Sequence, residues 1–427
     1  MADHASASPT APLTERRYLV PLILVTSLFL LWAIGVNLND VLIPHLKKAL
    51  DLTDFQSSLI QTAFFGGYFL MALPAGWIMR RVGYRKGMLV GLSLCALGTL
   101  LFQPAASARW YPFFLLALFV MACGQCVLEV AANPYVTVLG PSGSAARRLN
   151  TAQAFNALGA LITPILGARF ILSGVEYTPT QLAAMPAEAV TAWRTAEASG
   201  VKGPYLVITA IFVVVGIMIA LSKLPEVQEP GEGSGRGLRS AWRHVQLRHG
   251  VLAQFCYVGA QVGVASFVIR FAQQALPGTG ERAAADFLKW HLAGFLAGRV
   301  IGTALMTRIA ASSMLATVAG LGAIAAAVAA VGSGSAAVWM VVLLGLFHSI
   351  QFPTIFALSI DGIGDDTKLG SSLLVMSIVG GAIVPALMGA VSDATGIQSA
   401  FWIPVVCYAV VFHFALRRSR PISMATS

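Results

Sequence analysis

The stretch VLEVAANPYVTVLG, residues 127–140, has a counterpart later in the chain in FPTIFALS, residues 352–359. Pro134 of the first and Pro353 of the second lie 219 positions apart. The segments that follow keep the same step. RLN at Arg148–Asn150 answers KLG at Lys368–Gly370 at an offset of 220, and Gly159 with Pro164 answers Gly380 with Pro385 at an offset of 221. A slowly drifting offset across two consecutive apolar segments marks an internal duplication, so the chain is expected to consist of two halves of one design.

The surroundings of these stretches are apolar from end to end. A chain of 427 residues with 57% hydrophobic residues, 11% charged residues and a mean hydropathy of +0.76 is too apolar for a soluble globular protein. Runs long enough to cross a bilayer, about 20 residues each, recur about twelve times. They cover residues 19–46, 55–79, 87–107, 111–137, 149–173, 203–223, 250–273, 286–307, 312–333, 337–360, 369–391 and 397–416. The expected fold class is an all-α polytopic membrane protein. Residues 1–18 are polar and lack a short apolar core followed by a small-residue cleavage site, so the first run is expected to remain as a span.

The formal charge of +10 could suggest nucleic acid, but its distribution points to a lipid bilayer instead. Arg16 and Arg17 precede span 1, Arg80, Arg81, Arg85 and Lys86 follow span 2, and Arg147 and Arg148 follow span 4. Lys223, Arg236, Arg239, Arg243 and Arg248 follow span 6, and Arg417, Arg418 and Arg420 follow span 12. These are even-numbered junctions or termini, which the positive-inside rule assigns to the cytoplasm together with both chain ends. The polar, Gly-rich stretch between spans 6 and 7 reads as a cytoplasmic linker. The expected organisation is a cytoplasmic tail at 1–18, a six-helix bundle at 19–223, the linker at 224–249, a second six-helix bundle at 250–416 and a tail at 417–427. With an even number of spans per half, both halves enter the membrane in the same direction. Gly294, Gly298 and Gly302, four apart on span 8, are expected to permit close helix approach.

Against this background a single acid stands out. Between Arg109 and Arg147 no Asp, Glu, Lys, Arg or His occurs except Glu129. A carboxylate in hydrocarbon costs roughly 3 kcal/mol on insertion scales, so its presence needs a reason. A carboxylate shielded from water favours its protonated form and releases the proton once water or a cation reaches it, which is the property of a proton carrier. The alternative is a permanently protonated Glu that hydrogen-bonds a neighbouring helix. Asp40 is the second case. It lies either near the outer interface or, with Asn37 one turn away on the same face, in a group of donors and acceptors suited to hydroxyls. Asn150, Gln153 and Asn156 recur every third residue on span 5 and face either a cavity or another helix. Gln61, Asn133, Gln254, Gln261 and Gln351 add further amides, the last near His348. Amides beside rings such as Trp32, Phe155 and Phe352 suit a neutral polyol, whose hydroxyls need paired donors and acceptors and whose C–H faces stack on aromatics. Arg299 lies deep in span 8, where it serves a structural ion pair or carbonyl contact or binds substrate.

Cys95, Cys123, Cys126, Cys256 and Cys407 all fall in apolar runs and read as packing residues; no metal or other cofactor is expected. IDGIGDDTK, residues 360–368, has the acids of a metal-diphosphate motif, but it falls at a cytoplasmic junction and Lys368 follows at once. No HExxH or similar ligand spacing accompanies it. An enzyme is therefore not expected.

Five strings carry a resemblance: NLND (37–40), SLIQTAFFGGYFLMALPAG (58–76), LEVAANPYVTVLGP (128–141), RLNTAQAFNALGA (148–160) and SIQFPTIFALSIDGIGDDTKLGSS (349–372). Over residues 20–415 the chain resembles the fucose:proton symporter family of the major facilitator superfamily. The resemblance implies the major facilitator fold, twelve transmembrane helices in two six-helix bundles, and symport by alternating access of a neutral hexose (glucose, galactose, L-fucose or N-acetylglucosamine) across a bacterial inner membrane. The coupling ion is a proton, or sodium as in some relatives, and the protein works as a monomer. It further implies that Glu129 is the proton-titrated carboxylate, that Asp40 couples substrate binding to proton movement, and that Gln153 and Asn156 line the sugar cavity with Asn37. The chain departs from the wider superfamily at GWIMRRVGYRK, residues 76–86, where Arg80 replaces the Asp of the general loop motif. The segment around GVKGPYLVITA, residues 200–210, resembles the glucose/galactose branch more than the fucose branch.

Overall fold

The structure is a computed structural model that describes residues 12–50, 52, 54–170, 177, 179–222, 224–225 and 237–419. Among these residues all regular structure is helical. The first half contributes α1 (Leu19–Leu50), α2 (Asp54–Leu100), α3 (Phe102–Ala108), α4 (Tyr111–Val138), α5 (Ala145–Phe170), α6 (Pro179–Ala184), α7 (Ala187–Ser199) and α8 (Lys202–Leu221). A short linker helix, α9 (Leu238–Ala241), precedes α10 (Val245–Ala275), α11 (Glu281–Leu305), α12 (Ala311–Val331), α13 (Gly334–His348) and α14 (Gln351–Ile360). The chain ends with α15 (Thr367–Met376), α16 (Gly380–Thr395), α17 (Ile397–Ala400) and α18 (Trp402–Ser419).

Nine helical segments among the described residues are long and apolar enough to cross a membrane. One of them, Thr62–Ala108, covers spans 2 and 3 and bends at Gly83, whose φ of 77° is open to glycine and strained for other residues. α5 and α11 correspond to spans 5 and 8 and are long enough to cross, but Asn150, Gln153 and Asn156 on one and Asp286, Lys289 and Arg299 on the other make them less apolar. All twelve spans read from the sequence thus have a helix.

Span 10 is broken into α13 and α14. Pro353 sits in the first turn of α14, where its missing N–H leaves no helical bond lost, and its ring disfavours continuation from the preceding turn. Span 11 is interrupted as well, by a 3-10 turn at Ser377–Val379 between α15 and α16. The expected glycine contact on span 8 is present. A side chain at Gly298 would collide with the carbonyl oxygen of Leu346 and with Ser349 Oγ, so α11 and the end of α13 pack backbone to backbone.

The helices fall into two compact units. One comprises Ile23–Ala132 and Phe155–Glu226; the other comprises Met1–Leu22, Asn133–Ala154 and Val227–Ser427. The last turns of α4 and the first turns of α5 therefore group with helices of the second half.

Two of the basic residues at the even-numbered junctions cap helix ends. Arg148 is fully buried, and its guanidinium donates to the carbonyls of Val136 (3.0 Å) and Thr137 in the last turn of α4. It also reaches the carbonyls of Gly140 (3.3 Å), Pro141 (2.9 Å) and Leu13 (3.0 Å), and Ser144 Oγ (2.6 Å). Arg85 donates to the carbonyl of Ala220 in the last turn of α8. The C-terminal carbonyls of a helix lack intrahelical partners and carry partial negative charge, so a guanidinium there serves both needs. The acids of IDGIGDDTK have similar structural partners. Asp366, 2% exposed, accepts from Ser240 Oγ and pairs with His244 Nε2, both at 2.9 Å, which ties the linker to the start of α15. Asp361 lies 3.4 Å from Arg418 Nη2 at the end of α18.

Candidate functional site

In the unit containing Ile23–Ala132 and Phe155–Glu226, Glu129 lies on α4 and is 1% exposed. One turn earlier on the same face, Gln125 is fully buried, and neither its amide nitrogen nor its amide oxygen has a hydrogen-bond partner among the described residues. Gly35 of α1 makes room for it, because a side chain there would collide with Gln125 Nε2. Aromatic side chains link α1 to α2: Trp32 Nε1 donates to Tyr68 Oη at 2.8 Å, and the rings of Trp32 and Phe29 lie 5.9 Å apart. Asn156 of α5 donates to the carbonyl of Phe29 at 3.3 Å, and Asn37 donates to the carbonyl of Ala33 one turn back at 2.7 Å. Asn37, Asn156 and Trp32 are half-buried, so each retains a face toward open space while Glu129 is shielded. The side chains of Asp40 and Gln61 lie outside the described residues.

In the other unit, Gln153 Nε2 donates to Asn133 Oδ1 at 3.4 Å, and both side chains are buried. Asn150 Nδ2 donates to Thr354 Oγ1 of α14 at 3.0 Å and to the carbonyl of Ala146 at 2.9 Å. Gln351, the first residue of α14, is fully buried; its nitrogen donates to the carbonyl of Phe347 at 3.0 Å, and its oxygen has no partner among the described residues. The stripe of amides on α5 thus faces helices, and each amide faces a different one: Asn150 reaches α14, Gln153 reaches α4 and Asn156 reaches α1. Such polar contacts between helices contribute on average about 0.6 kcal/mol each in a membrane interior.

Residues 24–375 match the family described as Major Facilitator Superfamily. The chain belongs to the major facilitator superfamily. It is 43% identical over 414 residues to the L-fucose-proton symporter of Escherichia coli strain K12, with 95% of this chain and 94% of that protein covered. It is 42% identical over 409 residues to the glucose/galactose transporter of Brucella abortus biovar 1 strain 9-941, with 95% and 96% covered. Among solved structures it is similar to the facilitator FucP in the outward conformation, with a TM-score of 0.88, 42% identity, and 95% of this chain and 100% of that one covered.

Within the facilitator fold the second half holds a polar group that sequence reasoning did not assemble. His348 Nε2 hydrogen-bonds Tyr408 Oη, and Tyr257 Oη donates to the His348 carbonyl at 2.9 Å. The rings of His291 and His348 lie 5.6 Å apart, and all four side chains are buried. These contacts join α10, α11 and α18 to the break between α13 and α14. Arg299, 3% exposed, has its guanidinium 5.0 Å from the ring of Phe295, and its Nε and Nη1 have no hydrogen-bond partner among the described residues. The ion pair or carbonyl contact expected for it is not among the described contacts. Gln125 was the main omission from the sequence reading. It sits between Cys123 and Cys126 in a packing-rich run, and its only signal was its spacing of four from Glu129.

Proposed function

We propose that the protein is a secondary active sugar transporter, a facilitator that imports a neutral hexose together with a proton by alternating access. One observation carries the reading: a carboxylate 1% exposed on a membrane-spanning helix, Glu129, in a chain 43% identical along nearly its whole length to an L-fucose-proton symporter. A second family member at 42% identity is a glucose/galactose transporter, which supports a hexose as the substrate class.

In this reading Glu129 takes a proton from the outer side and becomes neutral, which lowers the cost of carrying its site through an apolar interface. Asp40 links sugar binding to that protonation. Asn37, Gln61, Asn133, Gln153, Asn156 and Gln351 offer amide donors and acceptors to sugar hydroxyls, and Trp32 offers a ring face. The half-buried positions of Asn37, Asn156 and Trp32 support this assignment. Residues 19–223 and 250–416 form the two rocking bundles, both termini lie in the cytoplasm, and the protein works as a monomer in a bacterial inner membrane. The positive charges at even-numbered junctions support that orientation. The substrate is glucose, galactose, fucose or N-acetylglucosamine.

Proteoliposomes test the reading. Addition of the transported hexose drives proton influx, and sodium neither replaces nor accelerates it. Glu129→Gln abolishes proton-driven accumulation and leaves sugar exchange in place, while Asp40→Asn impairs coupled uptake. Accumulation by Glu129→Gln at the wild-type level would remove Glu129 from the coupling role, and uptake driven by sodium alone would replace the proton.

A further inference from the structure

Within the unit containing Ile23–Ala132 and Phe155–Glu226, three helices converge on one hydroxyl, that of Tyr68. Its own helix, α2, packs closely on α4: a side chain at Gly67 would lie 2.9 Å from the carbonyl oxygen of Phe119 and from Ala122 Cβ. Cys126 Sγ donates to the Tyr68 carbonyl at 3.4 Å, and Glu129 follows Cys126 by three residues, on the same face of α4. From α1, Trp32 Nε1 donates to Tyr68 Oη at 2.8 Å. Gly35, one turn on from Trp32, admits Gln125, which lies one turn before Glu129. The Tyr68 hydroxyl and the Glu129 carboxyl interact electrostatically across this junction.

The bonding capacity of a phenol decides what this hydroxyl can do. Oη has one proton to donate and two lone pairs with which to accept. Trp32 fills one lone pair, since an indole nitrogen is a donor only. One donor and one acceptor are left, on opposite sides of the same oxygen. The titratable groups that face the hydroxyl among the described residues are Glu129 and Cys126 of α4 and Cys95 of α2. Both thiols act as donors to backbone carbonyls, Cys126 to Tyr68 and Cys95 to Met121 at 3.8 Å, and sulfur is a weak acceptor. A carboxylate is by far the stronger acceptor for the phenolic proton. Exposure falls in the same order, from half-buried Trp32 to Tyr68 at 6% and Glu129 at 1%.

We propose that Tyr68 is the proton relay to Glu129. Its O–H proton passes to a carboxylate oxygen of Glu129, while a proton from a hydronium ion on the outer side enters the lone pair that Trp32 leaves open. The hydronium becomes water, the phenol ends as it began, and Glu129 becomes neutral. Trp32 acts as a positioning residue, because its N–H keeps the donor side of Oη toward α4. A relay changes the rate of proton delivery and not the number of protons carried. The proposal rests on the reading of Glu129 as the titrated carboxylate.

Tyr68→Phe tests it, since the ring stays and only the hydroxyl is lost. The measurement is proton influx into proteoliposomes on addition of the transported hexose, in H2O and in D2O. Influx is expected to slow about a hundredfold, the smallest contribution of a positioned proton-transfer group. The ratio of protons to sugar is expected to stay at its wild-type value. The solvent isotope effect should rise above that of the wild type, because proton delivery has become the slow step. Slower influx without that rise is the mark of disturbed packing and overturns the proposal, as does influx at the wild-type rate. Where Tyr68→Phe fails to fold, infrared difference spectra of the wild type between high and low pH decide. The carboxyl band of Glu129, identified by its loss in Glu129→Gln, should appear together with a shifted tyrosine C–O band that is lost in the same variant. A Glu129 band with no tyrosine shift overturns the relay and leaves the transport reading standing, whereas wild-type accumulation by Glu129→Gln removes both.

Discussion

Arg148 offers the sharpest test of how the end of α4 is held. Its side chain is fully buried, and its guanidinium serves six acceptors: five backbone carbonyls and one hydroxyl. In Arg148→Lys the charge remains, but three donors on a point-like ammonium replace the five donors of a planar fork. At least two carbonyls lose their partner, and each buried unsatisfied group costs about 1 to 3 kcal/mol, for a total of about 3 kcal/mol. In Arg148→Ala all six lose their partner, and water entering the space offsets part of the loss. About 5 kcal/mol is the reasonable upper figure, in line with breaking a buried charge network. Unfolding entropy of roughly 2.1 cal/mol/K per residue, applied to 427 residues, sets a minimum of about 1 °C per kcal/mol. Thermal unfolding of the detergent-purified protein should therefore show Arg148→Lys about 3 °C and Arg148→Ala about 5 °C below the wild type. Because Leu13 shares the guanidinium, proteolytic nicking near residues 12–15 should accelerate in both variants. An Arg148→Ala protein that melts within 1 °C of the wild type would show that the cap contributes little.

Two further outcomes follow from the site. Thr354→Val removes the acceptor for Asn150 at nearly constant volume; membrane hydrogen bonds average about 0.6 and reach about 1.7 kcal/mol, so deuterium exchange in residues 145–150 should rise roughly three- to eighteen-fold, and unchanged exchange would dismiss that contact as a tie between α5 and α14. Gln125→Leu replaces a buried amide with an apolar side chain of similar size, so the thermal midpoint should hold or rise. Proton-driven uptake should fall if the amide assists Glu129, and a lowered midpoint with normal uptake would make it a packing residue.

The spans and their number were legible in the sequence because a bilayer imposes length and apolarity on any chain that crosses it, and α1 to α18 supply a helix for every expected run. Helix ends were less legible. α10 begins at Val245 rather than near residue 250, because His244 and Ser240 are held by Asp366, a contact 122 to 126 residues distant in sequence. The break after His348 was foreshadowed by Pro353, but its fastening to Tyr257 and Tyr408 was not, since those residues come from other helices. Gln125 was overlooked for a related reason, because a fully buried amide and an amide that caps an exposed turn look alike in one dimension.

The order of residues was sufficient to assign this protein to the membrane and to mark Glu129 as an acid needing a reason, because hydropathy and the cost of burying charge are local properties of a chain. The partners of each polar group were set by packing. Asn150, Gln153 and Asn156 share a stripe on one helix, yet they bond to α14, α4 and α1 respectively. A period of three residues gives the angle between neighbouring side chains, whereas the helix that stands opposite each of them is set by contacts 20 to 204 residues away in sequence.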